Sequence, residues 1–234
     1  EIGSGLVGSE MCIRDSYYTN EAVVIPLDIR YTILENSNRY FKKYQKLKNA
    51  VGYIKEQLQI AEDETEYFEM LKYQTQQAGL HEAMEIQEEL IEGKYLFTKE
   101  AKPKKKQRPK PLTYILDNGC LISVGKNNVQ NETLTHRIAK PNEMWFHIQK
   151  GPGSHVVIHK DGELTEQEIR TAAMLAAFYS SSKESSSVAV DYTKIKNIKK
   201  IPGKRNCFVT YTHQKTIYID PDEKTITGLK VKKS

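Results

Sequence analysis

Apolar side chains in the first third of the chain recur at alternating steps of four and three residues, which is the spacing of a coiled-coil helix. This pattern predicts one long helix from about Asn36 to Ala78. Its seam would consist of Tyr40, Tyr44, Leu47, Val51, Ile54, Leu58, Ala61, Thr65 and Phe68. A second predicted helix, His81–Glu92, is too short to cover about four heptads of exposed apolar surface. We therefore expect a partner helix, either from a second copy or from a segment absent from this sequence.

From Leu112 onward the pattern changes to short runs of aromatic and β-branched residues between turn residues, which indicates strands. Met144–Ile148 and Val156–Ile158 flank the breaker Gly151-Pro152-Gly153 and are predicted to be two buried strands meeting at a tight corner. Further predicted elements are a hairpin of Thr113–Leu116 and Leu121–Val124, a helix over Glu132–Ile138, a helix over Thr165–Ser180 with a Thr165/Glu168 capping box, a strand over Val188–Val190, and a hairpin of Phe208–Thr212 and Thr216–Ile219. The sequence thus predicts an α+β fold class: a long coiled-coil helix followed by a compact mixed α/β domain.

Composition divides the chain into parts. Residues 1–20 are expected to be a non-native leader, because Glu1–Ser16 show neither a helical nor a strand period and read like a translated adapter sequence. The predicted parts that follow are a coiled-coil arm over 21–98, a basic linker over 99–111, the α/β domain over 112–222 and a basic tail over 223–234 that is loose from Thr225. Within the linker, Ala101–Pro111 holds six basic residues, three prolines and no acid, so it is either a solvated spacer or a tether on phosphates.

Overall composition limits the class of protein. The 234 residues are 38% hydrophobic and 28% charged, which is ordinary for a globular protein with a real core. No long apolar run and no secretory pattern occur, so we expect no membrane partner and a cytoplasmic location. Cys12, Cys120 and Cys207 lie far apart without a C-x-x-C pair, which argues against a disulfide framework or a zinc ribbon. The net charge of +5 favours a polyanionic partner only weakly.

Three residue types near the predicted corner superficially suggest catalysis. Ser154, with His147 or His155 and with Asp191, has the types of a nucleophilic triad. However, Ser154 is not in a G-x-S-x-G elbow, and neighbouring residues on a strand point to opposite faces. His147, His155 and His159 lack the helical spacing or the carboxylates of a metal site. We therefore expect no enzyme activity, no cofactor and no metal.

Binding has better support. Gly125-Lys126-Asn127-Asn128 links a strand to a predicted helix, so its backbone N–H groups and the Lys126 charge suit an anion, without the spacing of a nucleotide P-loop. Lys194–Arg205 is basic without one acid. Tyr192 and Tyr211 accompany this run, and basic residues mixed with aromatic rings are typical of phosphate contacts combined with base stacking.

Four ordered motifs resemble the NFACT family. They are VGKNNVQNETLT (124–135), MWFHIQKGPGSHVVI (144–158), VAVDYTKIKNIKK (188–200) and QKTIYIDP (214–221), and they are similar to the family's C-terminal NFACT-R domain. NRYFKKYQKLKNAV (38–51) is similar to the start of its second coiled-coil arm. The chain departs from the usual family pattern at Lys150-Gly151 and at Arg205-Asn206-Cys207.

This resemblance implies a ribosome-associated quality-control role. It implies partners in the large ribosomal subunit (rRNA) and in tRNA, support of C-terminal alanine tailing of stalled nascent chains, and a first coiled-coil arm located upstream of Glu21 that would pair with the long helix. The residues that we predict to contact RNA are Lys126, Asn127, Asn128, Asn131, His147, Ser154, His155, Asp191, Tyr192, Lys199, Lys200 and Lys215. Two alternatives remain open: a surface adhesion protein of the fibronectin-binding type, and a hydrolase built on Ser154 and His147.

Overall fold

The computed structural model describes residues 11–15, 18–97, 109–202 and 208–232. The chain divides into two compact units, residues 1–62 and residues 63–234. Each unit is described by itself. Most of the predicted basic linker, including Lys102–Arg108, and the Arg205-Asn206-Cys207 loop lie outside the described residues.

The first unit contains a small hairpin and the beginning of the long helix. Strand β1 (Met11–Asp15) pairs antiparallel with β2 (Ala22–Pro26). The predicted leader thus includes a paired strand, while its non-native origin stays a prediction. Helix α1 (Ile33–Gln77) begins with a reciprocal cap, because Thr32 N–H donates to Glu35 Oε2 at 2.8 Å and Glu35 N–H donates to Thr32 Oγ1 at 3.3 Å.

The predicted apolar seam is exposed along this part of α1. The exposed residues are Tyr40, Tyr44, Leu47, Val51, Ile54 and Leu58. Exposed apolar surface of this extent is typical of an interaction face. Coiled-coil pairing of the seam stays a prediction.

The second unit begins with the end of α1, which packs on α2 (Leu80–Glu92). The buried contact joins Tyr67 and Leu71 of α1 to Ile86 of α2. The predicted seam residue Phe68 is instead 41% exposed, and its ring meets Tyr67 edge-on. The face that α2 covers is therefore one residue away from the seam, because α2 approaches α1 from a different side.

Seven strands of the second unit form one antiparallel sheet in the order β10-β7-β5-β6-β4-β3-β11. The strands are β3 (Leu112–Ile115), β4 (Leu121–Val124), β5 (Met144–Ile148), β6 (Val156–Ile158), β7 (Val188–Lys194), β10 (Lys215–Ile219) and β11 (Lys230–Val231), while β8 (Ile198–Lys200) and β9 (Val209–Tyr211) form a separate ribbon. The helices are α3 (Asn128–Thr133), which continues into a π-helical turn at Leu134–Ile138, α4 (Glu166–Phe178) and α5 (Glu223–Thr227), with a 3₁₀ turn at Ile195–Asn197. The predicted α+β class is confirmed.

The sheet has a core on each face, because side chains alternate along β5. Phe146 and Ile148 join the main core, which α4 covers with its alanines and Leu175. On the opposite face Trp145 packs in a smaller core with Leu134, Val157 and Ile198. The two faces therefore carry different chemistry, and His147 lies on the Trp145 side.

Helix α4 confirms the predicted capping box. Thr165 Oγ1 accepts from the Glu168 amide and the Glu168 carboxylate accepts from the Thr165 amide at 2.8 Å. Burial opposes ionisation of Glu168, but hydrogen bonds from the Thr165 amide, Lys160 and Asn118 lower its pKa to about 2. The Asn118 bond also ties the β3–β4 turn, where Gly119 has the positive φ of +80°, to this helix.

Two predictions for the C-terminal part are wrong. Strands β9 and β10 do not pair with each other as a hairpin: β9 pairs with β8, and β10 pairs with β7. The residues from Thr225 to Lys232 are also not loose, because Asp222 caps α5, Ile226 is buried in the main core and β11 pairs with β3 at the sheet edge. Among the described residues, no helix has the length and apolar character that a membrane span requires.

Candidate nucleic-acid interface

The corner between β5 and β6 contains a glycine that has little room for a side chain. A Cβ on Gly153 would lie 3.2 Å from both Ile148 Cγ1 and Ser180 Cβ. The next amide, that of Ser154, donates to the Tyr179 carbonyl at 2.9 Å, which ties the corner to the end of α4. Gly151 adopts a φ of +101°, which favours glycine. The loop is thus fixed at both ends, and Ser154 is buried beneath it.

Two predicted histidines meet around the only tryptophan of the chain. The His147 ring stacks on Trp145 with an interplanar angle of 8°, and His155 meets both rings edge-on. His147 Nδ1 donates to the Ile148 carbonyl at 2.7 Å, and His155 Nδ1 lies 2.7 Å from Thr135 Oγ1. Burial lowers the pKa of His147, and burial with repulsion from His147 lowers that of His155 further. Both imidazoles are therefore neutral at pH 7.

Asn131 connects this cluster to α3. Its Oδ1 accepts from the His155 amide at 2.9 Å, and its Nδ2 donates to the Gly153 carbonyl at 3.4 Å. A Cβ on Gly125 would lie only 2.4 Å from Asn131 Oδ1, so this strand-to-helix turn requires glycine for close approach. Asn131 is buried, and its side chain positions the histidine strand rather than facing solvent.

Asp191 lies opposite His147 in the β5–β7 register and is buried. It accepts from the Tyr211 hydroxyl at 2.9 Å and from the Thr216 hydroxyl at 2.6 Å, which joins the β8–β9 ribbon to the sheet. Burial and the Asp191 hydrogen bond raise the pKa of Tyr211 to about 12. Tyr192 lies on the other face, where its ring stacks on Phe146. Asp191 thus shapes the predicted site, while Tyr192 belongs to the opposite core.

The hydrolase alternative requires Ser154, His147 and Asp191 to converge. In the described part of the chain, no hydrogen bond joins any two of the three, because His147 uses Nδ1 on a backbone carbonyl and Asp191 is satisfied by two hydroxyls. The structure therefore assembles no triad from these residues. The described residues also include no group of three or more His, Cys, Asp or Glu suited to a metal ion.

The predicted anion site at Lys126–Asn128 faces the helical arm. Lys126 Nζ contacts Glu82 Oε1 at 3.2 Å, and Asn127 Nδ2 donates to Glu85 Oε2 at 2.6 Å. Asn128 Nδ2 donates to Glu89 at 3.0 Å. Carboxylates of α2 thus occupy the polar groups that the sequence assigns to a phosphate. A role of these residues in RNA binding stays a prediction that would require α2 to move.

A second set of basic residues is exposed at one end of the sheet. Lys215 at the start of β10 lies opposite Tyr192, near the end of β7, and the ribbon strand β8 supplies further lysines. The exposed lysines here are Lys194, Lys196, Lys199, Lys200 and Lys215. Lys200 pairs with Glu132 at 2.6 Å. Within the described residues, Lys194, Lys196, Lys199 and Lys215 have no carboxylate partner, so their charge is available to a ligand.

A cleft of about 370 Å³ opens beside the histidine cluster. Trp145, His147, His155 and Tyr211 line it together with the Gly151–Gly153 loop. Its other wall comes from α1 and consists of Glu66, Glu69 and Met70. The sequence analysis predicted His147 and His155 as residues of this site but did not predict the wall from α1. The α1 residues are distant along the chain, and no local sequence pattern indicates that they pack against the sheet.

Family models match nearly the whole chain. A model described as the NFACT N-terminal and middle domains matches residues 7–109. A model described as the NFACT protein RNA binding domain matches residues 110–210. The second match covers most of the sheet, the part of the cleft wall that the sheet and the Gly151–Gly153 loop supply, and Lys194, Lys196, Lys199 and Lys200.

Curated relatives and a solved structure agree with these matches. The chain is 47% identical over 220 residues to the Rqc2 homolog RqcH of Bacillus subtilis (strain 168), covering 92% of this chain and 38% of that protein. It is 40% identical over 222 residues to the Rqc2 homolog RqcH of Streptococcus pneumoniae (strain D39), covering 94% of this chain and 40% of that protein. The chain therefore spans about two fifths of the length of these relatives. A solved structure of the C-terminal part of the fibronectin/fibrinogen-binding protein from Streptococcus suis superposes with a TM-score of 0.76 at 41% identity, covering 84% of this chain and 80% of that one.

Proposed function

The chain belongs to the NFACT family, and from this premise we propose that it is the RNA-binding, C-terminal part of a ribosome quality-control factor. The proposed ligand is the RNA of obstructed large ribosomal subunits, with tRNA as a second RNA partner. The whole factor would support C-terminal alanine tailing of stalled nascent chains in the cytoplasm. This part would contribute binding rather than catalysis.

The observation that carries the proposal is the exposed lysine set at the end of the sheet. Lys194, Lys196, Lys199 and Lys215 lack carboxylate partners among the described residues, whereas Lys126 is paired with Glu82. Each basic side chain that neutralises a phosphate releases counterions, so four exposed lysines without carboxylate partners among the described residues suit a polyanion. Neutral histidines nearby would add hydrogen bonds without charge.

The exposed seam of α1 supports the proposal that this chain is one part of a larger factor. A first coiled-coil arm, carried by the parent protein outside this sequence, would cover Tyr40, Leu47 and Ile54. The α1–α2 end of this arm packs in the same unit as the sheet, through the α2 carboxylates. The arm and the RNA-binding sheet would therefore act as connected parts of one factor.

The proposal is tested by RNA binding of the chain at several salt concentrations. Replacing Lys194, Lys199 and Lys215 by alanine should weaken binding of a single-stranded oligonucleotide and lower the slope of log K against log salt by about 0.7 for each lost phosphate contact. The matched control is Lys126→Ala, whose charge is already paired, and it should change the slope little. Equal slopes for the triple variant and the unmodified chain would contradict the proposal. Co-sedimentation of a full-length protein with large ribosomal subunits, with and without residues 112–234, tests the ribosomal partner.

A second candidate is adhesion, because the superposed Streptococcus suis structure belongs to a protein described as fibronectin/fibrinogen-binding. Binding of purified fibronectin to the immobilised chain separates the two functions. The RNA proposal expects no saturable fibronectin binding that competes with RNA. Tight fibronectin binding without RNA binding would favour adhesion.

A further inference from the structure

A residue that lines the cleft carries a buried donor that none of the described residues satisfies. Trp145 is fully buried, and its indole Nε1–H has no acceptor among the described residues. Leaving a buried donor unpaired is costly, so such a group calls for an unseen partner. Trp145 is itself one of the residues that line the cleft. The residue that carries the unsatisfied donor therefore borders a space large enough to admit a ligand.

The walls of this cleft combine flat rings with carboxylates. His147 and Tyr211 supply ring surfaces beside the indole, with centroid distances to Trp145 of 5.7 and 5.1 Å. Glu66 and Glu69, on the exposed surface of α1, line the opposite side of the cleft. When ionised, a carboxylate can accept hydrogen bonds but cannot donate them. A ligand that fits would have an aromatic face and an edge with N–H donors.

Positively charged residues lie on one side of the cleft, whereas its own wall from α1 carries carboxylates. Strand β9, which carries the lining residues Val209 and Tyr211, pairs with β8, and this pairing places Lys199 beside Thr210 and Lys200 beside Val209. Exposed lysines thus border the cleft while carboxylates line it. A polyanion could follow the lysines only if the part that enters the cleft is uncharged.

We propose that this cleft holds one unpaired nucleobase of a bound RNA, with the base between the His147 and Tyr211 side and the α1 wall, and with the Glu69 carboxylate, beside Glu66, accepting from its exocyclic amino group, which uracil lacks. The proposal rests on RNA binding as the function of the sheet. Carboxylates accept from the amino group of cytosine, and the N–H edge of guanine offers the same kind of donor. We therefore expect guanine and cytosine to bind better than uracil.

The base is favoured over the phosphate and over a peptide by the same contacts. The Glu69 carboxylate, beside imidazoles whose pKa burial lowers, would repel a phosphate. The cavity of about 370 Å³ lies near the lower limit of small-ligand pockets, so it fits a single flat group rather than a folded segment. Single-stranded RNA presents such groups next to its phosphates, and proteins commonly stack them on aromatic side chains.

The first test uses Trp145 as the reporter, since it is the only tryptophan of the chain. The chain is titrated with uridine oligonucleotides that carry guanosine, cytidine, uridine or an abasic site at one central position. Guanosine should quench Trp145 and bind at least about fivefold more tightly than the abasic oligonucleotide, which is the lower limit expected from one stacked base. Equal affinity with no fluorescence change for all oligonucleotides would overturn the base site, while leaving RNA binding by the lysines intact.

The second test changes the acceptors. Glu66→Gln with Glu69→Gln should abolish the preference for guanosine and cytidine over uridine, and Glu163→Gln, an exposed carboxylate outside the cleft, serves as the matched control. If the two carboxylates act only through charge, the double variant would bind every oligonucleotide more tightly by the same factor, and that result would overturn the proposal.

Failure of the site and failure of the function are distinguishable. If no oligonucleotide binds the unmodified chain, the proposed function fails. Titration with guanosine monophosphate then tests whether the cleft by itself binds a base. Quenching by this nucleotide would retain the base site. Quenching by an unstructured peptide but by no nucleotide would replace it with a protein ligand.

Discussion

One buried asparagine contributes two hydrogen bonds to the contact between the helical arm and the α3 region of the sheet unit, and replacing it should loosen the arm. Asn128 Oδ1 accepts from Gln74 Nε2 at 2.8 Å, and its Nδ2 donates to Glu89 Oε1 at 3.0 Å. The same carboxylate oxygen accepts from the Tyr67 hydroxyl at 2.9 Å, so Asn128 joins α1, α2 and α3 in one network. We expect Asn128→Ala to free the α1–α2 end while the sheet stays folded.

The magnitude follows from the two lost bonds. A hydrogen bond to a carboxylate, as to Glu89, contributes about 1.5–3 kcal/mol and the neutral bond to Gln74 about 0.5–1.5 kcal/mol, so the docking free energy should fall by about 2–4.5 kcal/mol. Alanine has a high helix propensity and the Asn127 cap is retained, so α3 itself should persist. The loss is a large fraction of the 5–15 kcal/mol that is typical of whole domains.

Native-state hydrogen exchange measures this loss locally. Amides of α2 should exchange faster in Asn128→Ala, whereas amides of β5 should keep their protection. In urea, the helical signal should decrease at lower concentration than the Trp145 fluorescence signal. Asn142→Ala, at an exposed position, is the matched control. If the protection of α2 changed by less than about 0.5 kcal/mol, as at an ordinary surface site, the network would not hold the arm and the reasoning would be refuted.

Three further predictions concern the sheet. Gly125→Ala should destabilise the chain by about 1–3 kcal/mol in urea unfolding, because its Cβ would clash with Asn131. Tyr211→Phe should cost about 1.5–3 kcal/mol, because buried Asp191 loses a donor. Glu168 has a pKa of about 2 in the folded chain against an ordinary 4.5. Its contribution to the unfolding free energy is therefore complete above pH 4.5 and is lost as the pH falls toward 2. Glu168→Gln should reduce this loss of stability in acid by on the order of 1–2 kcal/mol.

Each of these predictions has a control and a contradicting result. Gly162→Ala is the comparison for Gly125→Ala, since a Cβ there meets nothing within 4 Å, although its φ of +113° adds backbone strain of its own. Tyr218→Phe, at an exposed tyrosine, is the comparison for Tyr211→Phe, and equal stabilities would show that Asp191 does not need the hydroxyl. For Glu168, parallel curves of unfolding free energy against pH for the variant and the unmodified chain would exclude the assigned pKa.

The family relationship gives these local contacts a functional context. The chain covers about two fifths of the length of its curated relatives, and both the arm and the sheet lie within the matched part. Loosening the arm by Asn128→Ala tests whether its position affects RNA binding. A change in arm protection without a change in RNA affinity would show that the two parts act independently.

Local pattern determined much of the fold. The capping box of Thr165 and Glu168, the turn at Gly119 and the strands Met144–Ile148 and Val156–Ile158 lie where the sequence predicts them. These features depend on neighbours a few residues away, because caps, tight turns and side-chain alternation are short-range properties of the backbone. The motifs in the same segments also indicated the family.

Tertiary structure alone decided which groups remain available for binding. Lys126 looked like a phosphate ligand, but Glu82, 44 residues earlier, neutralises it. Lys215 and Tyr211 looked like parts of one hairpin, but β10 pairs with β7 and β9 with β8. Glu69 became a wall of the cleft only because the end of α1 lies against the sheet. The sequence specifies donors, acceptors and charges, but their partners depend on long-range pairing, and that pairing determines whether a charged group is satisfied internally or remains free for a ligand.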